Sequence, residues 1–176
     1  MNEKTEILRA KRREKAAIDR FDRRILAALV EDADQSFAAL GNRVGLSAPA
    51  VHERVKRLKQ SGIIRDTVAR LAGPAVGKPL LAFVHVEAAG WGKSERLMAV
   101  SRYPEVEEMH SVAGDASMIL KVRTESPQAL EYLLSQIHAV PGVKGTKTFV
   151  ALSTYLDRPV QADVTETWPD IPMPGP

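Results

Sequence analysis

The stretch Gly45–Ile64, GLSAPAVHERVKRLKQSGII, decides how this chain is read. It threads an apolar row, Val51, Val55 and Leu58, between Arg54, Lys56, Arg57 and Lys59. Ser47 is a good N-cap, and Pro49 falls in the first turn, where a missing N–H costs nothing. Gly62 suits a left-handed stop, so the spacing predicts a helix from Ser47 to about Ser61. On a wheel advancing about 100° per residue, the three apolar side chains share one side. Pro49, His52, Glu53, Lys56, Arg57 and Gln60 fall on the other. Such a helix has three possible occupations: a solvated surface, a membrane or partner surface, or nucleic acid.

The residues upstream narrow the choice. Ile18, Phe21, Ile25, Leu26 and Leu29 repeat at helical spacing, with Asp19 and Asp22 in the first turn where the helix dipole favours acids. EDAD at 31–34 breaks that helix. Ser36 then caps a short second one, whose inward residues are expected to be Phe37, Leu40 and Val44, and Gly45 ends it. Two helices, a tight glycine turn and a third helix make a helix-turn-helix. A membrane helix needs bulky apolar residues on its free face. Here the narrow apolar stripe is taken by the two preceding helices, and only the charged face is left over. The segment IIRDTVARLA (63–72) reads as the start of a small β-wing, and GPAVGKP (73–79) reads as a linker.

Charge points the same way. Residues 1–70 hold 16 Lys/Arg against 10 Asp/Glu, and residues 71–176 hold 9 against 12, which leaves the front half basic and the rear half acidic. One part suited to a polyanion, joined to one that is not, is expected. With 44% hydrophobic and 27% charged residues the chain has ordinary globular composition. The absence of cysteine excludes disulfides and thiolate metal sites and fits a reducing cytoplasm. No apolar leader and no 18-residue apolar run occurs, so neither secretion nor membrane spanning is expected.

The rear half contains a near-repeat. LLAFVHVEA is read as a strand, SERLMAVSRY as a helix and PEVEEMHSV as a strand; SMILKVR, SPQALEYLLSQIHAV and PGVKGTKTFVAL repeat the order. A doubled βαβ of this length is a split βαβ, so the fold class is α+β: a winged helix-turn-helix followed by a ferredoxin-like βαββαβ sandwich. Leu130, Leu133, Leu134 and Ile137 form a stripe that the sheet should bury. The expected organisation is a flexible basic arm (1–16), a DNA-binding domain (17–72), a linker (73–79), a rear domain (80–156) and a Pro-rich acidic tail (157–176). The tail reads as disordered, with docking on a neighbouring subunit as the alternative.

Taken together, IDRFDRRILAALVEDADQSFAALGNRVGLSAPAVHERVKRLKQSGIIRDTVARL resembles the winged helix-turn-helix of the Lrp/AsnC (leucine-responsive, feast/famine) regulators. VAGDASMILKV and VPGVKGTKTFVAL resemble parts of that family's effector and oligomerisation domain. The resemblance covers about residues 17 to 156. It implies a cytoplasmic, sequence-specific transcriptional regulator that binds double-stranded DNA. It also implies a homodimer joined through its rear sheets and assembled into tetramers or octamers, with a small molecule such as an amino acid bound between rear domains. The candidate DNA-binding residues are Ser47, Pro49, Ala50, His52, Glu53, Arg54, Lys56, Arg57 and Arg65.

The turn HSVAGDASMIL (110–120) corresponds to the family's Gly-x-x-Asp effector loop. Here the run is Gly114, Asp115, Ala116, Ser117, so serine stands where the family often has the aspartate, and Asp115 is the only acid left in the turn. Thr146 and Thr148 resemble the family's Thr-x-Thr, although they also read simply as a threonine ladder on a strand. Candidate effector residues are thus Ser111, Gly114, Asp115, Ser117, Thr146 and Thr148. The histidines at 52, 85, 110 and 138 show no metal-ligand spacing, and no cofactor is expected. Two rivals stand beside the regulator. One is a ligand-independent architectural DNA binder. The other is an enzyme resembling the tetrapyrrole (sirohaem) decarboxylases, in which the basic helix would be idle.

Overall fold

The computed structural model describes residues 18–89 and 95–167. It divides into two compact units, one made of residues up to Val68 together with those from Arg158 onward, the other Ala69–Asp157. The basic arm expected at 1–16 lies outside the described residues, as does the tail beyond 167.

The first unit is built from α1 (Arg20–Glu31), α2 (Phe37–Val44) and α3 (Ala48–Gln60). α2 and α3 start at the caps read from the sequence, whereas Asp19, read as a first-turn acid, is the N-cap of α1. Asp19 accepts from the Asp22 amide and Asp22 returns the bond to the Asp19 amide, which closes a capping box. Ser36 accepts from Ala39 and Ser47 from Ala50. Gly45, in the left-handed region at φ 78°, turns α2 into α3. The core is Ile25, Ala28, Leu40, Val44, Val51, Val55 and Leu58. Burying each Val or Leu side chain contributes roughly 1.5–3 kcal/mol.

One inward assignment and one element differ from expectation. Phe37 is 40% exposed; the buried position on that side of α2 belongs to Gly41, against which the backbone of Leu46 packs too closely for any side chain. The wing is absent: residues 63–72 carry no strand. A β-ribbon needs a paired partner, and Val68 and Leu71 stand more than 70% exposed. Among the described residues the helix-turn-helix carries no wing.

The second unit contains β1 (Leu80–Ala88), α4 (Glu95–Met98, continued by a 3-10 turn at Ala99–Arg102), β2 (Val106–Ser111), β3 (Met118–Thr124), α5 (Pro127–His138) and β4 (Val143–Val150). The four strands form one sheet in the order β2-β3-β1-β4, with antiparallel neighbours. That is the split βαβ topology expected. One face, carrying Ala82, Val84, Val86, Met118, Leu120 and Val122, packs on Leu97, Val100, Leu130, Leu133 and Ile137 from the helices; Leu134 of the expected stripe is only partly buried. The segment 73–79 is not an open linker. Gly73–Val76 is a 3-10 turn inside this unit, and a Cβ on Gly73 would meet the Arg123 side chain and the Lys78 carbonyl at 2.5 and 2.7 Å. The boundary between the units falls earlier, after Val68.

From 151 to 167 the chain has neither helix nor strand. It is nonetheless held: Arg70 pairs with Asp157 at 2.7 Å, and Arg23 donates to the Ala162 carbonyl at 2.6 Å.

Candidate nucleic-acid interface and effector loop

α3 buries Val51, Val55 and Leu58 and leaves Pro49, His52, Glu53, Lys56, Arg57, Lys59 and Gln60 exposed. Ser47 is exposed at the N-cap and Ala50 half-buried behind it. The end of α3 is a Schellman motif: Gly62, at φ 75°, donates to Lys59 and Ile63 donates back to Leu58. His52 lies edge-on to Phe37, with ring centroids 5.2 Å apart, and its Nδ1 sits 3.4 Å from Glu53. Arg65 is exposed in the irregular segment that follows.

The two arginines of α3 are less free than a wheel suggests. Nη1 of Arg54 donates to Asp19 at 2.6 Å and to Asp22 at 2.8 Å, and its guanidinium lies 5.5 Å from the Phe21 ring centroid. Nη2 of Arg57 donates to both carboxylate oxygens of Asp22, at 2.8 and 2.7 Å. Asp22 is 1% exposed. The Asp22 amide and then the Arg54 guanidinium hold the Asp19 carboxyl below its ordinary value, and the two aspartates raise Arg54. Sequence reading put Asp22 in the first turn, where the helix dipole favours acids, and did not foresee its burial. The available signal was Asp19-x-x-Asp22 on one helix facing Arg54-x-x-Arg57 on another.

At the rear, β2 and β3 are joined by a turn in which Gly114 has φ 144°. Ser111 and Asp115 are exposed. Ser117 is engaged locally: its hydroxyl accepts from the Ala88 amide at 3.2 Å and lies 3.3 Å from the Ala88 carbonyl, and its amide donates to Val86. Thr146 and Thr148 pair in register with Val86 and Val84, which puts them on the helix-packed side of the sheet; the Thr146 hydroxyl bonds the His138 ring at 2.9 Å. The turn and Thr146 thus meet at one end of the sheet through β1, while Thr148 sits one pleat further in. None of the six candidate residues lines either of the cavities found in this unit. One, of about 440 Å³, lies near Lys78, Tyr103, Glu105 and Tyr132. The other, of about 390 Å³, lies near Phe83, Lys121 and Tyr155.

The sheet face turned away from the helices is partly exposed: Leu81 is buried there, while its centre around Phe83 is not. Phe83 and Phe149 are direct partners across β1 and β4, 39% and 45% exposed. Beside them the His85 ring lies tilted against Phe149, centroids 5.1 Å apart, and Lys121 pairs with Glu107 and Glu108. Hydrogen bonds from His110, then from Lys121, hold the Glu108 carboxyl down. Among the described residues no group of three or more His, Asp or Glu is placed to hold a metal, and no helix is long and apolar enough to cross a membrane.

The AsnC-type helix-turn-helix domain matches residues 18–59, and the Lrp/AsnC ligand binding domain matches residues 81–161. The HTH-type transcriptional regulator FL11 of Pyrococcus horikoshii is 32% identical over 138 residues, 78% of this chain and 91% of the relative. The chain belongs to the Lrp/AsnC family. The leucine-responsive regulatory protein of Escherichia coli is 35% identical to this Lrp/AsnC member over 81% of the chain and 90% of its own length. Among solved structures, the feast or famine regulatory protein of Mycobacterium tuberculosis complexed with L-methionine superposes with a TM-score of 0.74 at 34% identity, covering 80% of this chain and 96% of that one. The protein is an HTH-type transcriptional regulator. The first match lies within the first unit and the second lies in the second unit except for residues 158–161; residues past 161 lie outside both matches.

Proposed function

We propose that this regulator reads double-stranded DNA by laying α3 in the major groove, and the observation that carries the reading is the outward face of that helix. Its apolar side is spent on α1 and α2, while Pro49, His52, Glu53 and Lys56 have no such use. In this reading Ser47, Pro49 and Ala50 bring the N-terminal turn against the groove. His52 and Glu53 address base edges, and Lys56, Arg57 and Arg65 meet phosphates. Arg54, with its guanidinium on two aspartates, holds α3 to α1 instead of touching DNA. The protein works in the cytoplasm with the DNA it reads.

The same reading makes it a homodimer joined by the open sheet faces around Phe83 and Phe149 and assembled further into tetramers or octamers. An amino acid is its effector, supported by the L-methionine complex of the M. tuberculosis relative. The amides at Gly114 suit the carboxylate and Asp115 suits the ammonium, since Ser117 is committed to Ala88. Ser111, Thr146 and Thr148 flank that end of the sheet. A second copy completes a pocket that one chain does not enclose.

Fluorescence anisotropy on the DNA upstream of the protein's own gene, against a scrambled duplex across a salt series, tests the reading. Preferential binding that falls steeply with salt is expected, and Lys56→Ala lowers the log–log salt slope by about 1. Equal affinity for the scrambled duplex would overturn sequence-specific reading by α3.

A further inference from the structure

Asp22 is a carboxylate removed from solvent and gripped by two arginines of the helix proposed to read DNA. A buried carboxylate is costly unless paired, so the pairs hold α1 to α3. The two arginines are nevertheless placed differently. Arg54 is 25% exposed and spends its guanidinium on Asp19 and Asp22. Arg57 is 53% exposed and bonds Asp22 through Nη2 alone, with no partner for Nη1 or Nε among the described residues. A guanidinium is a rigid plane, so holding Nη2 on both oxygens of Asp22 constrains where Nη1 points.

We propose that Asp22 is a positioning residue for DNA binding: its buried carboxylate holds Nη2 of Arg57 and aims Nη1 outward to a backbone phosphate. This rests on the reading of α3 given above and adds a division of labour to it. Asp19, Asp22, Arg54 and Arg57 together carry no net charge, so the group adds nothing to long-range attraction of DNA. That attraction comes from cations unpaired among the described residues, such as Lys56 and Lys59, while Arg57 supplies a directional contact whose side-chain freedom is already spent before DNA arrives.

The inference has a sign that simple electrostatics does not share. Asp22→Asn keeps the shape and adds one positive charge to the domain. If Arg57 acts only as charge, the variant binds DNA as well as the wild type or better, with a steeper salt slope. If Asp22 positions Arg57, the variant binds about tenfold more weakly despite the added charge. Arg57→Lys keeps the charge but has no second nitrogen held in a rigid plane with the one on Asp22, and it too loses about tenfold. The double variant Asp22→Asn/Arg57→Lys loses no more than either single one, because both remove the same contact.

Affinities are measured on upstream DNA at a temperature below every variant's melting transition, with circular dichroism as the control. Weakened, non-additive binding by folded variants supports the proposal. Wild-type or tighter binding by folded Asp22→Asn overturns it, and so do additive losses. If Asp22→Asn does not fold, Arg57→Lys leaves the Asp22–Arg54 pair in place and decides alone: wild-type affinity overturns the proposal, and a tenfold loss at unchanged salt slope supports it. A wild-type protein that binds no upstream DNA removes the reading of α3 itself, and this inference with it.

Discussion

The carbonyl oxygen of Leu46 stands 2.5 Å from the point that a Cβ on Gly41 would occupy. Helix α2 and the turn into α3 touch there backbone to backbone, and neither side is the end of a flexible side chain. Gly41→Val therefore forces the turn open and moves α3 away from the Ile25–Leu40 core. We expect a loss of about 1–3 kcal/mol in chemical denaturation and loss of DNA binding, with the rear sheet unaffected. Wild-type stability and DNA affinity in Gly41→Val would show that this contact does not set the position of α3.

Acid should weaken the first unit through Asp19. Its carboxyl is depressed by the Asp22 amide and by Arg54, so the folded state takes up a proton less readily than the unfolded chain. The stabilisation is complete above the unfolded value of about 4 and is lost as pH falls through the depressed folded value. Asp19→Asn keeps a capping oxygen but no charge, so its stability falls less over that window. Urea unfolding followed by helix signal from pH 7 down to pH 3 checks this; parallel acid limbs for variant and wild type would contradict it.

How much of this was legible from residues alone follows from range. The caps at Ser36, Ser47 and Ser126 were readable, or lie where reading placed a helix start, because each bonds an amide three residues away. The strand order followed from the doubled βαβ pattern. Burial of Asp22 was not legible, because a carboxylate defaults to solvent and its partners lie 32 and 35 residues along. The role of Ser117 hid for the same reason, since Ala88 is 29 residues distant. Val68 and Leu71 show the converse failure: residues suited to a strand make none without a second strand beside them.

The open sheet face gives a third expectation. Phe149→Glu sets a charge directly across from Phe83, where a second sheet is proposed to pack, and it does so at a position that is already 45% exposed in the single chain. The fold should survive while the assembly falls to monomers in sedimentation. An unchanged oligomer would move the interface elsewhere.

A fourth concerns the turn after β2. L-methionine should raise the melting temperature of the wild type by a few degrees, and Asp115→Asn should abolish the shift while Ser117→Ala keeps most of it, since the hydroxyl serves Ala88. If none of the twenty amino acids stabilises the wild type, the protein works without such an effector. Equal shifts in Asp115→Asn would place the ammonium on another group.

The two hydrophobic cores described here have no residue in common. In the reading proposed above, mutations that alter what the sheet binds and mutations that alter which operator α3 prefers therefore accumulate on separate lists, each screened by its own packing. On that reading, descendants of such a chain can change their effector while keeping their gene targets, or keep the effector and acquire new genes.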